Sequence, residues 1–246
     1  MSKSIVIIPT YNEKENISKI IQNVFSLEVE FNILIIDDNS PDGTASIVRD
    51  LIPEYSERLY IIERPGKLGL GTAYISGFKW ALERNYEFIF EMDADFSHNP
   101  NDLVRLHRTC YDEGYDLAIG SRYISGINVI NWPLKRVLMS YLASVYVRKI
   151  TGMPIMDTTA GFKCYRKTVL ENIGIENIKM KGYGFQIEMK FRTWKYGYKI
   201  KEIPIIFTDR KEGTSKMSGG LFGEAFKGVL KMKIRSYFKI YKKKSA

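Results

Sequence analysis

Two carboxylates held two residues apart, Asp93 and Asp95, end an apolar run, Phe88-Ile89-Phe90-Glu91-Met92. Such a pair suits a hard divalent cation, because Mg²⁺ or Mn²⁺ takes one or two carboxylates and fills its other positions with phosphate oxygens and water. At the carboxyl end of a parallel strand, the pair faces a crevice rather than the core. Short Asp-x-Asp strings also occur in ordinary acidic turns, so the weight of this one depends on its neighbours. Two further polar clusters follow apolar runs: Pro9-Thr10-Tyr11-Asn12-Glu13 after Ser4 to Ile8, and Asp37-Asp38-Asn39-Ser40-Pro41-Asp42-Gly43-Thr44 after Phe31 to Ile36. One ligand spanning one sheet edge accounts for all three more economically than three separate turns. Tyr11 offers a ring to a nucleobase, Asp38 offers acceptors to base or ribose, and Asp93 and Asp95 offer a cation to the phosphates. Alone, the stretch from Asp38 to Gly43 is equally an Asx turn entering a helix.

Two later features suit anions. Arg122, in Gly120-Ser121-Arg122-Tyr123, follows an apolar run, and Arg136 opens a helical pattern; guanidinium groups bind phosphate bidentately. Arg210 and Lys216 lie on the segment Asp209 to Ser218, which could close over a diphosphate and neutralise it as it leaves. Each of these cations also fits a solvated surface role. The glycine-rich stretch Arg64 to Ala73 matches neither phosphate-loop pattern: no Gly-Lys-Ser/Thr closes it, and Tyr74 stands where a dinucleotide fingerprint wants glycine. His98 and His107 have no second His or Cys at ligand spacing and read as structural or solvated.

The elements that position these residues follow from periodicity. Strands are expected at Ser4 to Ile8, Phe31 to Ile36, Leu59 to Ile62, Phe88 to Met92 and Asp116 to Gly120. Helices are expected at Glu13 to Phe25, Gly43 to Leu51, Leu70 to Arg84 and Pro100 to Glu113 between them. That alternation predicts an α/β fold with a mostly parallel, doubly wound central sheet flanked by helices. Further on, Trp132 to Ile150 and Tyr183 to Tyr196 read as helices, and Gly161 to Tyr165 and Lys199 to Phe207 as extended, with Pro204 interrupting the last. At 246 residues and 45% hydrophobic content, the chain can build one sizeable domain. Cys110 and Cys164 lack metal or disulfide spacing and read as buried thiols of a reducing compartment. The N-terminus enters a strand at once, without a leader pattern, and no run approaches the roughly 18 apolar residues of a membrane span. A cytoplasmic chain is expected. The segment Val137 to Val147, with basic flanks, reads as a core helix or as one touching a headgroup zone.

Of the net charge of +9, residues 216–246 carry +8, so the basicity belongs to a tail. On a helix, Phe222, Phe226, Leu230, Ile234, Tyr237 and Tyr241 share one side, while Lys227, Lys231, Arg235 and Lys239 recur every four residues on the opposite side. A helix lying in an anionic membrane interface has this composition. The competing expectation is a terminal helix packed on the domain with its charges solvated. Nucleic acid is not an expected partner, since the body of the chain offers almost no net positive charge.

Six segments stand together in one order: the clusters at 9–13 and 37–44, Gly66 to Tyr74, Asp93 to Pro100, Gly120 to Tyr123, and Gly182-Tyr183-Gly184-Phe185-Gln186-Ile187-Glu188. In these the chain resembles the family 2 glycosyltransferases and, within them, the dolichol- or polyprenol-phosphate mannose synthases, from about residue 4 to 218. The resemblance implies a GT-A (Rossmann-like) catalytic domain over 1–215, followed by the basic amphipathic tail, 216–246. It further implies a nucleotide-sugar donor, GDP-mannose, with Mg²⁺ or Mn²⁺. Carried over by position, Pro9, Tyr11, Glu13, Ile36 and Asp38 would line the nucleoside pocket. Asp93, Ala94 and Asp95 would hold the ribose-phosphate region and, through the two carboxylates, the metal. Arg122 and Arg136 would take the lipid phosphate, and Arg210 with Lys216 the donor diphosphate; Asp93, Asp95, Arg122 and Arg210 are the expected catalytic set. Some relatives have Gln where this chain has Ser97, and Ser97 is not counted as a ligand. Where certain members carry membrane spans after the catalytic domain, this chain has its tail, which favours peripheral attachment to the cytoplasmic face of a membrane.

The expected reaction is an inverting transfer of mannose to a polyprenyl or dolichyl monophosphate. That acceptor is already anionic, so no strong general base is needed. A polyprenyl-phosphate glucosyltransferase using UDP-glucose is the rival within the class, and a non-catalytic peripheral membrane-binding protein is the rival outside it.

Overall fold

The computed structural model describes residues 3–55, 57–180, 182–209 and 220–243, with residues 220–225 described in backbone alone. The chain runs β1 (Ser4–Thr10), α1 (Ile17–Phe25), β2 (Asn32–Asp37), α2 (Thr44–Leu51), β3 (Leu59–Glu63), α3 (Leu70–Glu83), β4 (Phe88–Glu91), α4 (Asp102–Tyr111) and β5 (Leu117–Ser121). It continues with β6 (Val129–Ile130), α5 (Leu134–Thr151), β7 (Lys163–Arg166), α6 (Lys167–Asn172), α7 (Tyr183–Lys195), β8 (Ile200–Pro204), β9 (Phe207–Thr208) and α8 (Gly220–Tyr237).

Seven strands form one sheet in the order β3-β2-β1-β4-β7-β5-β8, and β6 pairs with β9 beside it. Strand β7 is antiparallel to both β4 and β5, and every other pairing is parallel. The carboxyl ends of β1, β2, β3, β4, β5 and β8 therefore share one edge, and the segment entering β7 arrives at that same edge. The central strands are buried on both faces, which is why they read as unbroken apolar runs. Ile5, Ile7, Leu34 and Ile36 face one core layer with α3 and α7. Val6, Ile8, Ile33 and Ile35 face the other, with α1, α2 and α4. Helix α3 sits directly on β1 because Gly77 has no side chain: a Cβ there would lie 2.7 Å from Ile7.

One element departs from expectation, and one is divided as expected. Helix α1 starts at Ile17 rather than Glu13. The backbone N–H groups of Asn12, Glu13 and Lys14 instead donate to Ser40 Oγ, Thr44 Oγ1 and Asp42 Oδ2, at 3.0, 3.0 and 3.1 Å. These bonds stitch the loop after β1 to the loop after β2 at the cost of one helical turn. The extended run at Lys199 to Phe207 splits into β8 and β9, interrupted after Pro204.

Candidate active site

The shared edge gathers most of the residues singled out by type and spacing. Tyr11 leaves β1 half-buried, with the Lys67 ammonium 4.8 Å from its ring centroid. Asp37, fully buried, accepts from Thr10 Oγ1 at 2.7 Å and from Ser40 N–H at 2.8 Å, and so fixes the turn that presents Asp38. Asp38 is itself buried and held by Arg64, whose Nε donates to Oδ1 at 2.6 Å, and by the Leu68 N–H at 3.2 Å to Oδ2. Arg64 also donates to Thr72 Oγ1 at 2.8 Å and to the Gly69 carbonyl at 3.3 Å. The glycine-rich stretch thus wraps the Asp38–Arg64 pair instead of cradling phosphate with a P-loop. Pro9 lies opposite Ile36 in the β1–β2 register, and the Glu13 N–H is tied to Thr44 Oγ1. Ile36 is buried in the core layer beneath α3 and Ala94 in the opposite one, so what either offers a ligand is main chain.

Asp93 and Asp95 follow β4 by two and four residues. The Asp93 side chain is 37% exposed at the carboxyl edge of the sheet, whereas Asp95 is buried. Asp95 Oδ1 accepts from the Ser97 N–H at 3.1 Å across a tight turn, in which Phe96 takes a φ of 57°. Tyr74, buried in α3, donates its hydroxyl to Asp93 Oδ1 at 3.4 Å. Burial first, and the Asp93 charge next, push that phenol well above its ordinary pKa, so it stays a donor. His98 Nδ1 accepts the Asp93 backbone N–H at 3.3 Å, and its ring stacks on Phe162 at 4.7 Å. Burial, partly opposed by the Asp95 carboxylate, lowers His98 to about 4, which keeps it neutral as that acceptor role requires. The donor set at this turn fits a hard divalent cation. It offers carboxylate oxygens and, among the described residues, no cluster of three His, Cys, Asp or Glu that would enclose an ion; such a site leaves coordination positions to phosphate and water.

Arg122 follows β5 and is 7% exposed. Asp157 binds it three ways: from its N–H to Oδ2 at 3.0 Å, from Nε to Oδ2 at 2.7 Å and from Nη2 to Oδ1 at 2.7 Å. Burial works against this guanidinium, and the Asp157 carboxylate outweighs it, holding the group above its ordinary pKa. Asp157 is fixed in turn by Glu202, which accepts the N–H groups of Met156 and Asp157 at 2.6 and 2.9 Å. Arg122 lies 5.5 Å from the Trp132 ring centroid and Arg136 lies 4.1 Å from the same ring, so one indole brings the two arginines together. Arg136 also pairs with Asp209 at 2.8 Å. The Trp132 indole N–H is buried and has no hydrogen-bond partner among the described residues. Arg210 and Lys216 lie outside the described residues.

Beneath the cleft runs a buried polar network. Lys163 pairs with Glu91 at 3.0 Å, and Gln186 donates to Glu91 at 2.7 Å. Lys190 donates to the carbonyls of Thr158 and Ala160 at 3.1 and 2.7 Å, securing the segment that carries Asp157. Sequence reasoning missed Asp157, Trp132, Arg64 and this network. Arg64 alone had a usable signal: β2 and β3 pair with Asp37 opposite Glu63, so the next residues, Asp38 and Arg64, emerge side by side.

A mostly parallel sheet with polar loops gathered on its carboxyl edge, an Asp-x-Asp turn after β4 and two arginines against one indole after β5 defines a GT-A glycosyltransferase architecture. The chain belongs to glycosyl transferase family 2, which matches residues 5–174. It is 45% identical over 233 residues to the polyprenol monophosphomannose synthase of Mycolicibacterium smegmatis, covering 95% of this chain and 88% of that protein. It is 43% identical over 225 residues to the undecaprenyl-phosphate mannosyltransferase of Micrococcus luteus, covering 92% and 91%. Among solved structures, it superimposes on glucosyl-3-phosphoglycerate synthase from Mycobacterium tuberculosis in complex with Mn²⁺, UDP and glucosyl-3-phosphoglycerate. The TM-score is 0.64 at 16% identity, over 94% of this chain and 79% of that one. A mannosyltransferase from Pyrobaculum calidifontis in complex with GDP-Man and Mn²⁺ gives 0.57 at 16% identity, over 95% and 73%. These two likenesses establish the fold.

Proposed function

We propose that this chain is a metal-dependent, inverting mannosyltransferase that moves mannose from GDP-mannose to a polyprenyl monophosphate. The observation that carries the reading is the placement, on one sheet edge, of the Asp93 and Asp95 carboxylates with the Arg122–Trp132–Arg136 group. One half suits a nucleoside diphosphate and the other a second phosphate. The likeness to two polyprenyl-phosphate mannose enzymes along nearly the whole chain supports the same reading. In this reading the catalytic domain spans 1–215 and the tail 216–246.

Tyr11 would stack on the base, with Pro9, Glu13 and Asp38 around the nucleoside and the main chain of Ile36 and Ala94 closing the wall. Asp93 and Asp95 would hold Mg²⁺ or Mn²⁺, a bound charge that offsets the departing diphosphate. Arg122, pinned by Asp157, Arg136 and the Trp132 indole N–H would fix the acceptor phosphate, whose oxygen attacks the anomeric carbon in line. The acceptor arrives as an anion, so the chain's task is orientation rather than proton removal. Arg210 and Lys216 would neutralise the leaving group from the loop.

The acceptor is a lipid, and the exposed surface suits a membrane face. Leu134, Leu138, Met139 and Leu142 of α5 are exposed, as are Phe226, Leu230, Ile234 and Tyr237 of α8. Tyr146 stacks on Phe226 at 3.9 Å and joins the two strips. Helix α8 packs on the domain through Val229, Met232 and Ser236 instead, which leaves most of the described apolar stripe free for an anionic, cytoplasm-facing leaflet. Of that stripe, Tyr241 packs edge-on against Tyr196 at 5.3 Å, and the Phe222 side chain lies outside the described residues. Among the described residues, no helix is long and apolar enough to cross a membrane.

The test is transfer of radiolabelled sugar from GDP-mannose, with UDP-glucose in parallel, to a short polyprenyl phosphate, with Mg²⁺ and with EDTA. Chelator-sensitive label entering the organic phase from GDP-mannose is the expected result. Label from UDP-glucose alone would move the assignment to a glucosyltransferase.

A further inference from the structure

A groove of about 720 Å³ runs between α7 and α8, away from the cleft described above. Its α8 wall is the row Lys227, Lys231 and Arg235, Lys239 follows just past the helix, and the facing wall adds Lys179 and Arg192. Against these six cations the lining offers one carboxylate, Glu188, already engaged by Arg192 at 2.6 Å and by the N–H groups of Lys179 and Met180 at 2.9 Å each. The floor is apolar, made by Met180, Phe191 and Met232. Like charges this close repel one another unless something neutralises them. Burial first, and the Arg192 charge next, lower the pKa of Lys239.

We propose that this groove binds the headgroup of an anionic phospholipid, at a site separate from the one that takes the acceptor phosphate. An anion is required by the charge, and the apolar floor selects one that brings hydrocarbon with it. The position of the row points to the same source. On a helical projection of α8, Lys227 and Lys231 lie beside the exposed stripe of Phe226, Leu230 and Ile234 rather than opposite it. A leaflet touching that stripe presents its phosphates to the groove mouth. The site rests on the membrane attachment proposed above. Mannosyl transfer to a short acceptor in detergent and binding to vesicles are separate readouts, so failure of one is distinguishable from failure of the other.

The experiment is co-sedimentation of the full chain with phosphatidylcholine vesicles, with and without a minority of phosphatidylglycerol. It is repeated for Lys231→Gln/Arg235→Gln and for the control Lys19→Gln/Arg108→Gln, which removes two exposed charges of α1 and α4, on the sheet face opposite to the one that α5 and α8 cover. All four residues are exposed, so neither variant disturbs the core. A lysine or arginine near an anionic surface contributes enough that losing two weakens binding about thirty-fold. The expected result is that loss in the groove variant, confined to vesicles containing phosphatidylglycerol, with a much smaller loss in the control. Equal losses in both variants would mean diffuse surface attraction and overturn the site. Release of bound protein by glycerol phosphate as effectively as by short-chain phosphatidylglycerol would overturn the lipid source. Failure of the unmodified chain to bind any vesicle would overturn both the site and the attachment.

Discussion

The donor side of the cleft and the surface formed by α5 and α8 are built on opposite plans. On the donor side, Thr10, Asp37, Ser40, Asp38 and Arg64 satisfy one another before any ligand arrives, and the Asp95 carboxylate closes its own turn by accepting the Ser97 N–H. Preorganised groups of this kind cost no rearrangement at the moment of reaction. On the α5 and α8 surface, leucines and aromatic rings stand exposed, and cations outnumber their partners. One region is complete in itself, and the other, in the reading proposed above, meets a second phase. In that reading an enzyme joining a water-soluble donor to a membrane-borne acceptor needs both, and Arg122, rooted in the sheet beside Trp132, would sit where they meet.

The contrast can be broken at several points. The largest effect is expected from Asp95→Ala, which should lower kcat by about 10³-fold. Its near-ultraviolet circular dichroism should be unchanged; near-normal turnover would remove the carboxylates from the site. Next, Asp157→Asn leaves a buried Arg122 without its counter-charge and should destabilise the fold by about 3 kcal/mol. Urea titration would read this, and a change within error would show that Arg122 is held by other groups. Smaller again, Leu138→Ser with Leu142→Ser should weaken vesicle binding about thirty-fold, at about 1 kcal/mol for each partly inserted leucine. Stability should move by less than about 0.5 kcal/mol, because both side chains already face outward. If the two leucines instead support the core, the melting temperature will fall and vesicle binding will not.

The smallest effect concerns pH. Burial opposes the Asp157 charge, but Arg122 more than offsets it, and the carboxyl sits below its ordinary value of 3.8. A carboxyl lowered by folding stabilises the native state above its unfolded pKa and loses that contribution as pH falls through the folded one. The unmodified chain should therefore lose stability below pH 3.8 more steeply than Asp157→Asn. Parallel slopes would contradict the pairing.

How much was legible in the sequence follows the same division. Strands β1, β2 and β4 could be read because burial on both faces leaves an unbroken apolar signature, and their polar ends marked Tyr11, Asp38, Asp93 and Asp95. The stretch entering β7 reads as extended, but a short strand carries no mark of its direction, so its antiparallel insertion between β4 and β5 was not foreseen. Asp157 was missed because its pairing with Arg122 spans 35 residues and leaves no periodic trace. The face that α8 turns to the domain was hidden for a different reason. Val229 and Met232 are too few to form a stripe, whereas the exposed aromatic side chains form an obvious one.

The measurement that tests the account most directly is a steady-state comparison of Tyr11→Ala and Arg136→Gln with both substrates varied. If the donor and acceptor occupy the two regions assigned here, Tyr11→Ala will raise the KM for GDP-mannose by about ten-fold and leave that for the polyprenyl phosphate unchanged, a loss of about 1.4 kcal/mol of binding. Arg136→Gln will do the reverse. If both variants raise the KM of the same substrate, the two regions serve one ligand, and the division between donor cleft and lipid-facing rim is wrong.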